Sequence, residues 1–337
     1  MASFSKFGND LYTGERSINF VGRRKVWYII AAAMVLLSIL LPLARGGFVF
    51  GIEFRGGSEF QVSGVADLGQ DGPRTEAQNL AAATVESVDP AASPRVSIVG
   101  TDSVRVQTEQ LLAEESNQVR DALATAFKVD VTDVTASFIG PSWGADITGS
   151  AIRALIVFVV LAAIMMALYF RTWKMSVAAM VALLHDIVIT AGVYGALGFE
   201  ITPSAVIGFL TILGFSLYDT VVVFDKIREN TTEDANSSPR TFAGSVNLAV
   251  NQTLVRSINT GVVAALPVAA ILFIGAIVLG AGTLRDIALA LFIGIIVGTY
   301  STIFIAAPIY SQLRENEPDI LSHTKKLESN RLAASTK

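Results

Sequence analysis

The sequence predicts an α-helical integral membrane protein, with six transmembrane helices and one α+β ferredoxin-like exterior domain. Three observations carry that reading. Of 337 residues, 52% are hydrophobic and 16% charged, with a mean hydropathy of +0.55; a typical soluble domain is about 25% charged. Six apolar runs, at 26–43, 151–170, 175–197, 201–224, 257–277 and 287–310, approach or exceed the roughly 20 residues that span a bilayer's hydrocarbon. One stretch, 44–149, has the composition of a soluble domain.

Taken in order, residues 1–25 are polar, with "YTGERSINF" expected to lie along the membrane interface. Run 26–43 is expected to be an uncleaved anchor, because "LPLARGG" follows it where a signal peptide would carry a small-residue A-x-A cleavage site. Orientation follows from Lys and Arg in the short flanks. Lys6, Arg16, Arg23, Arg24 and Lys25 precede the first run, and Arg171 and Lys174 separate the second from the third. Lys226, Arg228 and Arg240 separate the fourth from the fifth, and Arg314, Lys325, Lys326 and Arg331 follow the sixth. The alternate loops carry no basic residue ("GFEIT") or Arg285 alone. Both termini and the loop 225–256 are therefore expected to be cytoplasmic, the domain 44–149 exterior, and the bundle to run over 150–310. The tail 311–337, with mixed charge and a Pro318 break, reads as disordered.

The exterior stretch holds seven basic and fifteen acidic residues, a net charge of −8. "FVFGIEFRGGSEFQV" reads as extended, with Gly56 and Gly57 marking a turn, bulge or close approach. Residues 75–88 have helical character with Thr75 at the N-cap; "RVSIVG" and "SVRVQTE" alternate as a hairpin; 111–127 is a second helix and "DVTASFIGP" a last strand. The order β-α-β-β-α-β is ferredoxin-like.

Several chemistries are argued against. The domain has neither histidine nor cysteine, so no Ser-His-Asp or Cys-His set can form there. Glu53 and Glu59 read as solvated surface acids rather than a catalytic pair. No cysteine exists anywhere, and His185 and His323 alone make a histidine-built metal site an unfavoured expectation. Net charge of −4 disfavours nucleic acid, and no P-loop appears. The expectation is a protein that is no enzyme and takes no cofactor.

Asp219 is the residue that composition does not explain. It lies within "GFSLYDTVVVFDKIREN", ahead of the charged pair Asp225 and Lys226. A charge at a membrane helix centre costs about 2.5–3.5 kcal/mol on insertion scales, so such residues face the bundle interior and have partners. Ser216 lies one turn away; Arg256, His185 and Asp186 can approach from other spans. Asp219 is either a fixed structural partner of Arg256, or a neutral hydrogen bonder, or a group that exchanges a proton or ion and couples a gradient to movement. His185 and Asp186 are secondary relay candidates or bundle-interior hydrogen bonders. Gly192, Gly195, Gly198, Gly208 and Gly214 permit close helix contact.

Several of these segments together resemble one family. "FGIEFRGGSEFQV" is similar to the signature that opens the exterior domain of SecF proteins, and "GFSLYDTVVVFDKIREN" to their fourth-helix motif. "TLVRSINTG" and "GTYSTIFIAAPI" resemble the fifth- and sixth-helix motifs, and "LLHDIVIT" a third-helix stretch. The glycine-rich "GAIVLGAG" between spans five and six departs from the pattern and blurs the end of span five. The resemblance implies the resistance-nodulation-division superfamily, a pseudo-symmetric partner SecD, and the SecYEG channel alongside in a bacterial plasma membrane. It implies that the proton-motive force draws unfolded preproteins across after the SecA ATPase has started them, with lipid around the bundle. It also implies a proton-relay role for Asp219 with Arg256, and a hinge at Gly51, Gly56 and Gly57. The alternative is a subunit of a small-molecule exporter of the same superfamily, though such pumps carry about twelve spans where this chain has six.

Overall fold

The computed structural model describes residues 2–66, 68, 71–233, 240–278 and 282–335. Helix α1 (Ala2–Thr13) leads to the first long apolar helix, α2 (Arg24–Ala44). The chain then forms a two-residue strand β1 (Val49–Phe50), a single helical turn α3 (Ile52–Arg55), β2 (Gly57–Val62), α4 (Asp71–Val88), β3 (Arg95–Val99), β4 (Ser103–Thr108), α5 (Ala113–Phe127) and β5 (Val134–Ile139). Long helices follow: α6 (Pro141–Phe170), α7 (Trp173–Leu197) and, after the short strand β6 (Glu200–Ile201), α8 (Pro203–Glu233). Then come α9 (Phe242–Ala270), running into a π-helical stretch Ile271–Val278, and α10 (Gly282–Ser301). A π turn, Thr302–Ala306, carries α10 into α11 (Ala307–Arg314), and α12 (Pro318–Ser335) closes the chain.

Among the described residues, six helices are long and apolar enough to cross a membrane. They divide into centre and rim. In their most apolar stretches α7 and α10 bury 56% of residues and α8 44%, against 17% for α2 and 11% for α6 and α9. A helix apolar on every side is either enclosed by protein or faces lipid, so α7, α8 and α10 form the bundle's centre. Where α2 crosses α7, backbones touch: a Cβ on Gly192 would stand 2.2 Å from that of Ser38. Small residues let membrane helices approach in this way.

The α/β domain is the predicted β-α-β-β-α-β unit. Its four strands are antiparallel in the order β3-β4-β2-β5. Strand alternation turns Phe60, Val62, Val104 and Val106 toward α4 and α5, where Ala81, Val85, Val119 and Leu123 complete a buried core. The same alternation turns Glu59 and Gln107, which pair across β2 and β4, to the opposite face.

Four expectations are corrected. The stretch read as extended, 48–62, contains the α3 turn. Gly51 N–H bonds the Ile201 carbonyl at 3.0 Å, and β1 pairs in parallel with β6, so the chain is tied to the α7–α8 loop before it enters the sheet. Gly56 and Gly57 have φ of 77° and 145°, and a Cβ on Gly57 would meet the Thr108 carbonyl oxygen at 2.4 Å; only glycine fits that close approach. Helix α4 begins at Asp71, so Thr75 is inside it rather than at its cap; Pro73 in the first turn costs no intrahelical bond.

The tail is not disordered as far as Ser335. Glu317 accepts from Lys174 Nζ at 2.9 Å and from Arg314 at 2.8 Å, and Arg24 holds Glu315, which fixes the start of α12. The loop 225–256 is largely helical, because α8 runs to Glu233 and α9 starts at Phe242; residues 234–239 lie outside the described ones. The N-terminal segment packs on α9. Asn251 accepts from Ile18 N–H and Asn247 from Phe20 N–H, each at 2.8 Å.

Candidate functional site

Asp219 sits sixteen residues into α8, about 24 Å along its axis at 1.5 Å per residue, near the middle of that helix. It is 3% exposed. Ser257 of α9 donates to its Oδ1 at 2.9 Å, while Oδ2 is buried with no hydrogen-bond partner. The Thr302 hydroxyl stands beside it, at the start of the π turn that interrupts α10.

The second group centres on Asp186 of α7, 1% exposed. Its Oδ2 accepts from Ser216 of α8 at 2.6 Å and from Ser301 of α10 at 2.9 Å, and its Oδ1 lies 3.2 Å from His185 Nδ1. His185 Nε2 has no partner, and its ring faces Tyr300 at 6.1 Å. A glycine makes room: a Cβ on Gly298 would lie 3.1 Å from Ser216 Cβ and 3.6 Å from Asp186 Oδ2.

The two carboxylates are linked by geometry. Ser216 reaches Asp186, and Thr220, one turn further along α8, reaches Thr302 at 3.0 Å and the Ser216 carbonyl at 3.0 Å. On α10, Ser301 serves Asp186 and the next residue, Thr302, stands by Asp219. Each hydroxyl has one proton to give. If Thr220 donates to the Ser216 carbonyl, Thr302 donates to Thr220 and leaves Asp219 Oδ2 without a donor. If Thr220 turns toward Thr302, the Thr302 proton is free for Asp219. A π turn inside an α-helix is often found at functional sites because it rearranges local hydrogen bonding.

Of the residues singled out from sequence, Asp219, Asp186, His185 and Ser216 come together on two of the three central helices, α7 and α8. Arg256 does not join them: its side chain is exposed and, among the described residues, makes no ion pair with Asp219, leaving only a longer-range attraction. The helical period places Ser257, not Arg256, toward α8. Ser257, Thr220, Ser301 and Thr302 were missed. The available signal was a set of small hydroxyl residues inside apolar spans, but only packing shows that they converge. Among the described residues no group of three or more acidic or imidazole side chains is arranged to hold a metal ion. Gly51, Gly56 and Gly57 lie at the foot of the α/β domain, some distance from this site in sequence and attached to α3.

The chain is similar to known proteins over nearly its whole length. The family described as protein export membrane protein SecD/SecF, C-terminal, matches residues 118–316. A protein translocase subunit SecF of Streptomyces coelicolor is 42% identical over all of this chain and 87% of its own. A protein translocase subunit SecDF of Thermus thermophilus is 31% identical over 86% of this chain and 38% of its own. A crystal structure of SecDF, a translocon-associated membrane protein from Thermus, matches with a TM-score of 0.75 and 29% identity, over 89% of this chain and 39% of that one.

Proposed function

This chain belongs to the SecF family and is a SecF-like accessory subunit of a protein translocase; we propose that it uses the proton-motive force to promote late movement of unfolded preproteins across a bacterial plasma membrane. It works beside a SecD partner and the SecYEG channel, with both termini cytoplasmic and the α/β domain, within 44–149, exterior. The fusion named SecDF, of which this chain matches about two fifths, supports the partner.

One observation carries the coupling: a carboxyl group enclosed at 3% exposure at the centre of the bundle, bonded on one oxygen and without a partner on the other. Intramembrane carboxylates with this placement serve proton relays. A proton crossing about 100 mV releases about 2.3 kcal/mol, enough to bias a two-state element whose forms differ by a few kcal/mol. Protonation of Asp219 removes its attraction to Arg256 and changes what Ser257 and Thr302 bond, so α8, α9 and α10 shift. The shift moves the exterior domain about the Gly51, Gly56 and Gly57 segment, letting it hold and release emerging chain. Asp186, His185 and Ser216 form the secondary relay.

The test is proton-dependent completion of translocation in vesicles carrying Asp219→Asn or Arg256→Ala. Both variants are expected to assemble and to lose the proton-driven phase. Normal late transport by Asp219→Asn would end the proposal, and failure of Arg256→Ala to assemble would return that residue to a structural role. Sodium in place of protons, tested in the same vesicles, decides the coupling ion.

A further inference from the structure

A second titratable cluster lies where the α/β domain meets the bundle. From β4, the Gln107 amide, 4% exposed, donates through Nε2 to Glu59 Oε2 of β2 at 2.9 Å and to Glu200 Oε2 of β6 at 3.2 Å. One amide thus joins the underside of the sheet to the α7–α8 loop. Its other atom, Oε1, is buried with no partner. An orphaned buried acceptor costs about 1–3 kcal/mol, so the arrangement lacks a donor.

Charged groups surround it. Glu53 projects from α3, with a buried Oε2 that has no partner, and Asp286 lies on α10. Arg105 of β4 stands 3.7 Å from Glu59, and Arg285 lies 3.4 Å from Asp286 and over the Phe199 ring at 5.6 Å. Four carboxyl groups, Glu53, Glu59, Glu200 and Asp286, lie about Arg105 and Arg285, while Arg95, directly across from Gln107 on β3, lines with Arg55 and Glu109 the cleft beside Gln107. Like charges held together in a poorly solvated place favour uptake of protons. A carboxyl that takes one keeps an oxygen able to accept from Gln107 Nε2, gains an O–H to donate, and no longer repels its ionised neighbours.

We propose that Glu200, Gln107 and Glu59 form a proton-operated joint, closed between the α/β domain and the bundle when Glu200 is protonated and loosened when Glu200 and Glu59 are both ionised. Burial first, then repulsion from Glu59 and Glu53, raises Glu200 above the ordinary glutamate value, against the Gln107 hydrogen bond and Arg105. Burial raises Glu53 likewise. A group that binds its proton more tightly in the closed form favours that form below the raised value; the advantage is lost as pH climbs above it. Which compartment supplies these protons rests on the exterior placement of the domain proposed above; the joint itself does not.

The chain has no cysteine, so two introduced cysteines can be labelled cleanly. Spin labels at Ser87→Cys on α4 and Leu197→Cys at the end of α7, both exposed, report the distance from domain to bundle by dipolar spectroscopy. The full chain in lipid nanodiscs is titrated from about pH 5 to about pH 8.5, spanning values above the ordinary glutamate pKa of about 4.3. The expected result is a single narrow distance at the acid end and a second, longer population growing severalfold toward the alkaline end. Glu200→Gln, which keeps the neutral shape, should stay narrow throughout, and Gln107→Leu should be broad throughout. A distance distribution independent of pH, or a Glu200→Gln protein that titrates like the parent, overturns the joint. Neither result bears on Asp219, whose test reads translocation.

Discussion

Ser257 of α9 hydrogen-bonds Asp219 of α8 at 2.9 Å, while its sequence neighbour Arg256 is turned outward. A neutral hydroxyl thus holds the central carboxylate by one oxygen and leaves the other free to change partner.

Removing that hydroxyl is expected to impair the motor without unfolding the bundle. A hydrogen bond to a charged group contributes about 1.5–3 kcal/mol, so Ser257→Ala should slow proton-dependent export by about ten- to a hundredfold, with Ser257→Thr retaining most of it. Initial rates in vesicles, with and without a proton gradient, check this. Equal slowing in the absence of the gradient would make Ser257 merely structural.

Asp186 accepts from two hydroxyls on two other helices. Asp186→Ala should leave Ser216 and Ser301 without that acceptor in a dry interior, at about 1–3 kcal/mol for each unsatisfied group. Asp186→Asn keeps an acceptor oxygen and should be milder. Thermal unfolding in detergent ranks the two, and equal midpoints would refute the network's structural role.

The glycines of the central helices should divide by what a Cβ meets. Gly192→Ala places a methyl 2.2 Å from Ser38 Cβ and 2.6 Å from its backbone, so α2 must move, at about 1–3 kcal/mol. Gly214 has nothing within 4 Å of the same position, and Gly214→Ala should be neutral or stabilising by up to about 1 kcal/mol. Unfolding midpoints of the two variants decide it.

The docked tail should be acid-sensitive. Hydrogen bonds from Arg314, then from Lys174, hold Glu317 below the ordinary glutamate range despite some opposing burial. A lowered folded value stabilises docking above the unfolded value of about 4.3, and that contribution is lost as pH falls through the lowered value. Hydrogen exchange in α12 should therefore rise in acid, and Glu317→Gln should exchange faster even at neutral pH. An α12 equally protected at all pH values would mean that other contacts hold it.

What sequence settled here is what depends on local composition and period. Apolar length gave six spans, alternation and turns gave the β-α-β-β-α-β domain, and an acid in a hydrophobic run marked Asp219, since each is a property of consecutive residues. Tertiary structure decided which small hydroxyls converge, that Ser257 rather than Arg256 bonds Asp219, that α3 breaks the extended segment, and that Gln107 bridges Glu59 and Glu200. Those contacts join residues up to 115 positions apart. Their formation depends on crossing angles and close approaches such as Ser38 against Gly192, to which the one-dimensional pattern is blind, because a helix's period tells which residues share a face but not which other face it meets.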